Sequence, residues 1–113
     1  MNTIKAKEWK DIPINFTGIV EWKNGNKIWL KDDKLHREDG PAKILVEGYK
    51  SWYLDGIRIV GFYEGQTVNL TTKIILSKEP HPLYPTVQVW RWVEKDSIRE
   101  QIIVSGMEEY ITE

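Results

Sequence analysis

Apolar residues recur along this chain at every second position in short runs, the period of a pleated strand and not the three-to-four spacing of a helix. Residues 18–23, 27–31, 43–47, 50–54 and 57–63 each read as a strand bounded by turn residues. Within 27–31, Ile28 and Leu30 share one face and Trp29 takes the other; within 50–54, Trp52 and Leu54 lie opposite Tyr53. Asn24-Gly25 and Asp55-Gly56 favour the type I′ turns whose twist suits antiparallel strands, and Asp32-Asp33 is a weaker version of the same turn. Apolar side chains on both faces imply a sheet covered in part on both sides, by the terminal segments. Further on, residues 67–70 and 73–77 read as strands, and 86–94 is the clearest of all. There Val87, Val89, Arg91 and Val93 alternate with Gln88, Trp90 and Trp92. Pro80, Pro82 and Pro85 predict an extended, irregular connector over 78–85. The spacing of Ile98, Ile102, Met107 and Tyr110 admits a helix, but the β-branched run Ile102-Ile103-Val104 followed by Ser105-Gly106 opposes it. A strand over 99–104, pairing back on 86–94, and a short helical turn over 107–111 are therefore expected.

The expected fold is all-β, an antiparallel meander of consecutive hairpins with a C-terminal β-hairpin and a short terminal helical turn. It forms a single domain over residues 1–113, with two hairpin repeats in 18–59 and a C-terminal β extension in 66–113. The repeats emerge when the chain is shifted by 23 residues against itself. Gly25-Asn26-Lys27-Ile28-Trp29 then overlays Gly48-Tyr49-Lys50-Ser51-Trp52, and Asp32 falls on Asp55. The identities fall where a hairpin needs them: glycine for a turn with positive φ, tryptophan for a half-buried pleated surface, aspartate for the next turn.

The segment Leu35-His36-Arg37-Glu38-Asp39-Gly40-Pro41-Ala42, followed by Gly48 to Gly56, resembles a short repeat related to MORN repeats that recurs in phage and bacterial proteins. The resemblance covers about a third of the chain, from Trp22 to Arg58. The chain departs from the pattern by holding about two units, by placing Asp33 where glycine is usual, and by adding an unrelated C-terminal half. The resemblance implies stacked β-hairpins and a phage or mobile-element setting, and it carries no catalytic residues with it.

Composition narrows the chemistry. The 113 residues include no cysteine and two histidines, which leaves no thiolate site and little material for a metal centre or general-base catalysis. His36 lies among Arg37, Glu38 and Asp39, where a turn with local ion pairs is the preferred reading over an active site; His81 sits in the proline-rich connector. No glycine-rich phosphate loop or nucleophile elbow is present, and neither catalysis, a cofactor nor a metal is expected. The amino-terminal residues hold lysines and no apolar run of the secretory type, so a cytoplasmic setting, that of the host cell for a phage protein, is expected, with no membrane partner. The formal net charge of −1 disfavours nucleic acid as a partner. From Glu94 to Glu113, six acids face only Lys95 and Arg99, a net of −4, while the remainder carries +3.

Three places are candidates for contact with a partner protein of the host: Trp90, Arg91 and Trp92; the loop His36, Arg37, Glu38 and Asp39; and the acidic end at Glu108 and Glu109. Aromatic residues and arginine dominate interface hot spots. Trp90 and Trp92 also suit the second side of a core, which is the preferred reading. The function expected is a non-enzymatic protein-binding module, and the phage setting that the resemblance implies adds, by analogy, an inhibitor of a host defence system in the manner of anti-CRISPR proteins. The alternatives are a scaffold repeat protein that forms homo-oligomers through an open sheet edge, and a single-stranded nucleic-acid binder using pairs such as Trp22-Lys23 and Arg91-Trp92.

Overall fold

A computed structural model describes residues 2–69 and 73–112, and it is mostly β. The strands in chain order are β1 (Thr3–Ala6), β2 (Gly18–Trp22), β3 (Lys27–Lys31), β4 (Lys34–Leu35), β5 (Lys43–Ile44), β6 (Lys50–Leu54), β7 (Ile57–Phe62), β8 (Val68–Asn69), β9 (Ile74–Pro80), β10 (Gln88–Glu94), β11 (Ser97–Ile103) and β12 (Ile111–Thr112). The helical segments among the described residues are 3-10 turns at Trp9–Asp11 and Glu108–Tyr110. None is long and apolar enough to cross a membrane. The chain divides into two compact units, Met1–Arg37 with Pro41–Glu64, and Glu38–Gly40 with Gly65–Glu113.

The first unit holds a seven-stranded sheet in the order β1-β2-β3-β5-β6-β7, with β4 also paired to β3. β2 through β7 pair antiparallel, but β1 runs parallel to β2, so the sheet is mixed where a purely antiparallel meander was expected. Ile28 and Leu30 point into a core with Ala6, Phe16 and Val20, while Trp29, on the opposite face, is buried too. The sheet is thus covered on both sides at this point.

The repeated segments close with the same bonds. Gly25 N–H donates to Trp22 O at 2.9 Å and Trp22 N–H to Asn26 O at 2.8 Å; 23 residues on, Gly48 N–H donates to Leu45 O at 3.0 Å and Leu45 N–H to Tyr49 O at 2.9 Å. Both glycines sit at positive φ, 96° and 98°, but Asn24 does not, so Asn24-Gly25 marks the turn without forming the type I′ turn expected there. Asp32-Asp33 and Asp55-Gly56 also correspond, all four residues having positive φ, as a type I′ turn requires. The strand expected over 43–47 stops at Ile44, because Leu45 belongs to this turn.

The loop expected at His36 to Asp39 lies between the repeats, but the short strand β4 that leads into it was not foreseen. β3 pairs Leu30 with Leu35 and then Ile28 with Lys43, so two steps along β3 correspond to eight along its partner, six more than a continuous ladder needs. His36 N–H still donates to Trp29 O at 3.0 Å and Trp29 N–H to Ala42 O at 2.8 Å, so the extra residues leave the sheet and return to it at Ala42.

The second unit contains an antiparallel three-stranded sheet, β11-β10-β9, and a parallel pair of β12 with β8. The expected strand pair is present as β10 and β11, joined by Lys95 and Asp96 at positive φ, and the terminal helical turn is the 3-10 segment at Glu108–Tyr110. The expected strand over 67–70 is described only at Val68–Asn69, since Leu70 lies outside the described residues. The proline connector is shorter than expected. β9 runs on through Pro80, the last residue of a strand at the sheet edge, where a missing N–H interrupts little of the ladder.

Candidate protein-binding site

The surface best equipped to hold a partner lies at the amino-terminal end of the first unit. β1 pairs Lys5 with Glu21 and Ala6 with Trp22, and Lys23 N–H donates to Ala6 O at 3.0 Å. The chain then turns. Asp11 Oδ2 accepts the N–H groups of Lys7 and Glu8, both at 3.0 Å, and these two bonds, helped by the charges of Lys10 and Lys7, hold the Asp11 carboxyl below the usual carboxylate range. This cap fixes the short 3-10 turn that carries Trp9.

Trp9 is 66% exposed, an unusual state for so large an apolar surface. Its ring meets Trp22 edge-on, with centroids 4.9 Å apart and planes at 70°. Trp22 is half-buried against the core of Ala6, Phe16, Val20, Ile28 and Leu30, so the exposed indole leans on an anchored one. Two open depressions flank the pair. One, of about 710 Å³, is lined by Lys5, Lys7, Asp11, Glu21, Trp22 and Lys23 among others; the second, of about 600 Å³, by Lys7, Trp9, Trp22, Lys23 and Asn24 among others. Glu21 is paired with Lys27 at 3.7 Å, and Asp11 is engaged by backbone donors. Lys5, Lys7 and Lys23 form no ion pair among the described residues. The surface offers a large aromatic anchor beside these three lysines.

The residues singled out from sequence are placed as follows. His36 is buried, and its Nδ1 accepts the Asp55 N–H at 2.9 Å, which ties the first repeat to the turn of the second. The Arg37 guanidinium lies 4.0 Å from the centroid of the Trp29 ring, and its Nη1 donates to Pro41 O at 3.1 Å. Glu38 is half-buried and Asp39 exposed. Trp90 and Trp92 are buried at 6% and 9%, which accords with core packing, not an open platform. Arg91 bridges the two outer strands of its sheet, donating from Nε to Glu100 at 2.6 Å and from Nη1 to Glu79 at 3.1 Å, and these carboxylates, Glu100 first, raise its pKa. Glu108 and Glu109 are exposed, and Glu108 accepts the Gly106 N–H at 2.8 Å. Trp90 and Glu108 line one depression of about 410 Å³ together with Lys78 and Ile111, and Lys78 Nζ lies 4.0 Å from the Trp90 ring centroid. His81 accepts the N–H groups of Leu83 and Tyr84 at its Nδ1, so both imidazoles have a nitrogen engaged with backbone.

Sequence reasoning missed Trp9. Its neighbourhood, Lys5-Ala6-Lys7-Glu8-Trp9-Lys10, shows one large apolar residue among charges, and that isolation was the available signal. No family model, curated protein or solved structure matches this chain.

Proposed function

We propose that the protein is a non-enzymatic protein-binding module and that the Trp9–Trp22 pair with its neighbouring lysines is the contact surface. The observation that carries this reading is the 66% exposure of Trp9 on a turn braced by Trp22 and capped by Asp11. Exposed tryptophan is over-represented among residues that dominate interface energies, and a braced side chain has less rotamer freedom to lose on docking. The resemblance of residues 35–56 to a MORN-related repeat supports a phage or mobile-element setting, and there the module acts as an inhibitor of a host defence system; this role rests on resemblance alone.

A second reading is favoured by the same lysines. Cations beside indole rings form stacking platforms for single-stranded nucleic acid. The net charge of −1 counts against it.

Affinity capture from bacterial lysate, with and without nuclease, separates the two when the chain and its Trp9→Ala variant are compared. A stoichiometric protein partner that resists nuclease and is depleted by about tenfold or more with the variant is expected. Partners that vanish with nuclease would replace this reading with the stacking platform. A partner retained equally by Trp9→Ala would remove the site.

A further inference from the structure

β1 is an edge strand among the described residues, and Lys5 on it and Lys7 just beyond it line the first depression. Two hydrogen bonds define which backbone groups are free. Ile19 N–H donates to Asn2 O at 2.7 Å and Lys23 N–H to Ala6 O at 3.0 Å, so in a parallel ladder the even-numbered residues of this segment turn towards β2. Thr3 and Lys5 therefore turn their N–H and C=O groups outward, and both residues are exposed. An open row of this kind is a template for one more strand.

Charge restricts what that strand can be. Side chains directly opposite one another in a sheet share a face, so a residue paired with Lys5 would sit beside the Lys5 ammonium, and residues two positions along would follow on the same face. Lys7 and Lys23 line the same depression, and its two acids are already engaged, Glu21 by Lys27 and Asp11 by backbone amides. Another copy of this edge would set Lys5 and Lys7 against their own kind, which like-charge repulsion opposes.

We infer that the β1 edge receives an extended, acidic segment of the partner as an added strand, with alternate carboxylates directed at Lys5, Lys7 and Lys23. Backbone bonds at Thr3 and Lys5 would supply affinity and the lysines selectivity, the division of labour usual in strand addition. This inference rests on the binding-module reading and deepens it.

The test uses the full chain and a short capped peptide of alternating glutamate and valine. Its companions are the same peptide N-methylated at alternate amides and a version with lysine for glutamate. Binding is followed by amide NMR and by hydrogen exchange at Thr3 and Lys5. The expected result is saturable binding with exchange at those two amides slowed about tenfold or more. N-methylation, lysine replacement, and the double variant Lys5→Gln with Lys7→Gln should each weaken binding by about tenfold. Equal binding of the N-methylated peptide overturns strand addition, as does absence of peptide binding or the same residues responding to single-stranded oligothymidine instead. A cellular partner that depends on Trp9 yet leaves Thr3 and Lys5 unprotected would also overturn it while leaving the binding-module reading standing.

Discussion

Replacing Arg37 by alanine probes the structural role assigned to the interruption between the two repeats. In the folded chain the guanidinium covers the Trp29 ring at 4.0 Å and donates to Pro41 O at 3.1 Å, so one side chain shields a buried indole and ties the two ends of the excursion together. A partly desolvated cation–π contact contributes about 1 kcal/mol. The charge-assisted hydrogen bond adds about 1.5 kcal/mol, of which water would recover part in the variant. Uncovering roughly 40 Å² of indole, now only 8% exposed, costs about 1 kcal/mol more. We therefore expect Arg37→Ala to destabilise the fold by about 2–3 kcal/mol, read as a fall in Tm of about 8–12 °C for a chain of this size. Arg37→Lys keeps the charge but not the planar fork, and should recover less than half of the loss. Amide exchange at His36, whose N–H is bonded to Trp29 O, should accelerate in parallel. A loss below about 0.5 kcal/mol, with exchange at His36 unchanged, would refute the argument and return Arg37 to the surface residues available to a partner.

Other expectations follow from single sites. A Cβ at Gly18 would land on the Asn2 carbonyl oxygen that accepts the Ile19 N–H, and 2.8 Å from the Phe16 ring, so Gly18→Ala should cost about 2–4 kcal/mol in urea denaturation and release β1; a neutral result would contradict the parallel β1–β2 pairing. Ser51 is fully buried and its hydroxyl has no hydrogen-bond partner among the described residues, so Ser51→Ala should leave stability unchanged or raise it by up to about 1 kcal/mol, whereas a clear loss would mean the hydroxyl is engaged. The Glu94 carboxyl is held below its usual range, first by the hydrogen bond from Lys73 Nζ at 2.8 Å and then by the Trp92 indole N–H. Its folded pKa lies below the unfolded one, so its contribution is present above the unfolded value of about 4.3 and disappears as pH falls through the folded value. Wild type and Glu94→Gln should differ in Tm at neutral pH and converge in strong acid, and a constant difference across that range would count against the ion pair.

Strands that carry their own alternation were legible in the sequence; strands that depend on partners were not. Residues 27–31 and 50–54 announce themselves through Ile28-Trp29-Leu30 and Trp52-Tyr53-Leu54, as does the strand expected over 86–94, which begins at Gln88, and the type I′ turns announce themselves through Asp32-Asp33 and Asp55-Gly56, while Asn24-Gly25 marked a turn's place but not its type. β1 has only Ile4 and Ala6 as apolar positions among lysines, and it becomes a strand because Ile19 to Lys23 offer it a ladder. The loop at His36 to Asp39 was legible, but its place within one ladder was not, since nothing local states that Ala42 resumes the pairing that His36 leaves. Trp90 and Trp92 illustrate the limit for sites. Alternation placed them on one face, but whether that face is covered is decided by residues distant in the chain. The exposed Trp9 followed the same logic in reverse, its brace at Trp22 lying on a strand that the sequence did not join to it.

The most direct test of the account is the affinity of the captured partner, by titration calorimetry, for the chain and for Trp9→Ala and Trp9→Phe. Trp9 is two-thirds open to solvent, so its truncation should lower Tm by only a few degrees. A hot-spot loss of about 2 kcal/mol or more corresponds to affinity weakened about 30-fold, with Trp9→Phe intermediate. Affinity within about twofold of wild type in the alanine variant, with the fold intact, would contradict the claim that this surface is where the protein binds.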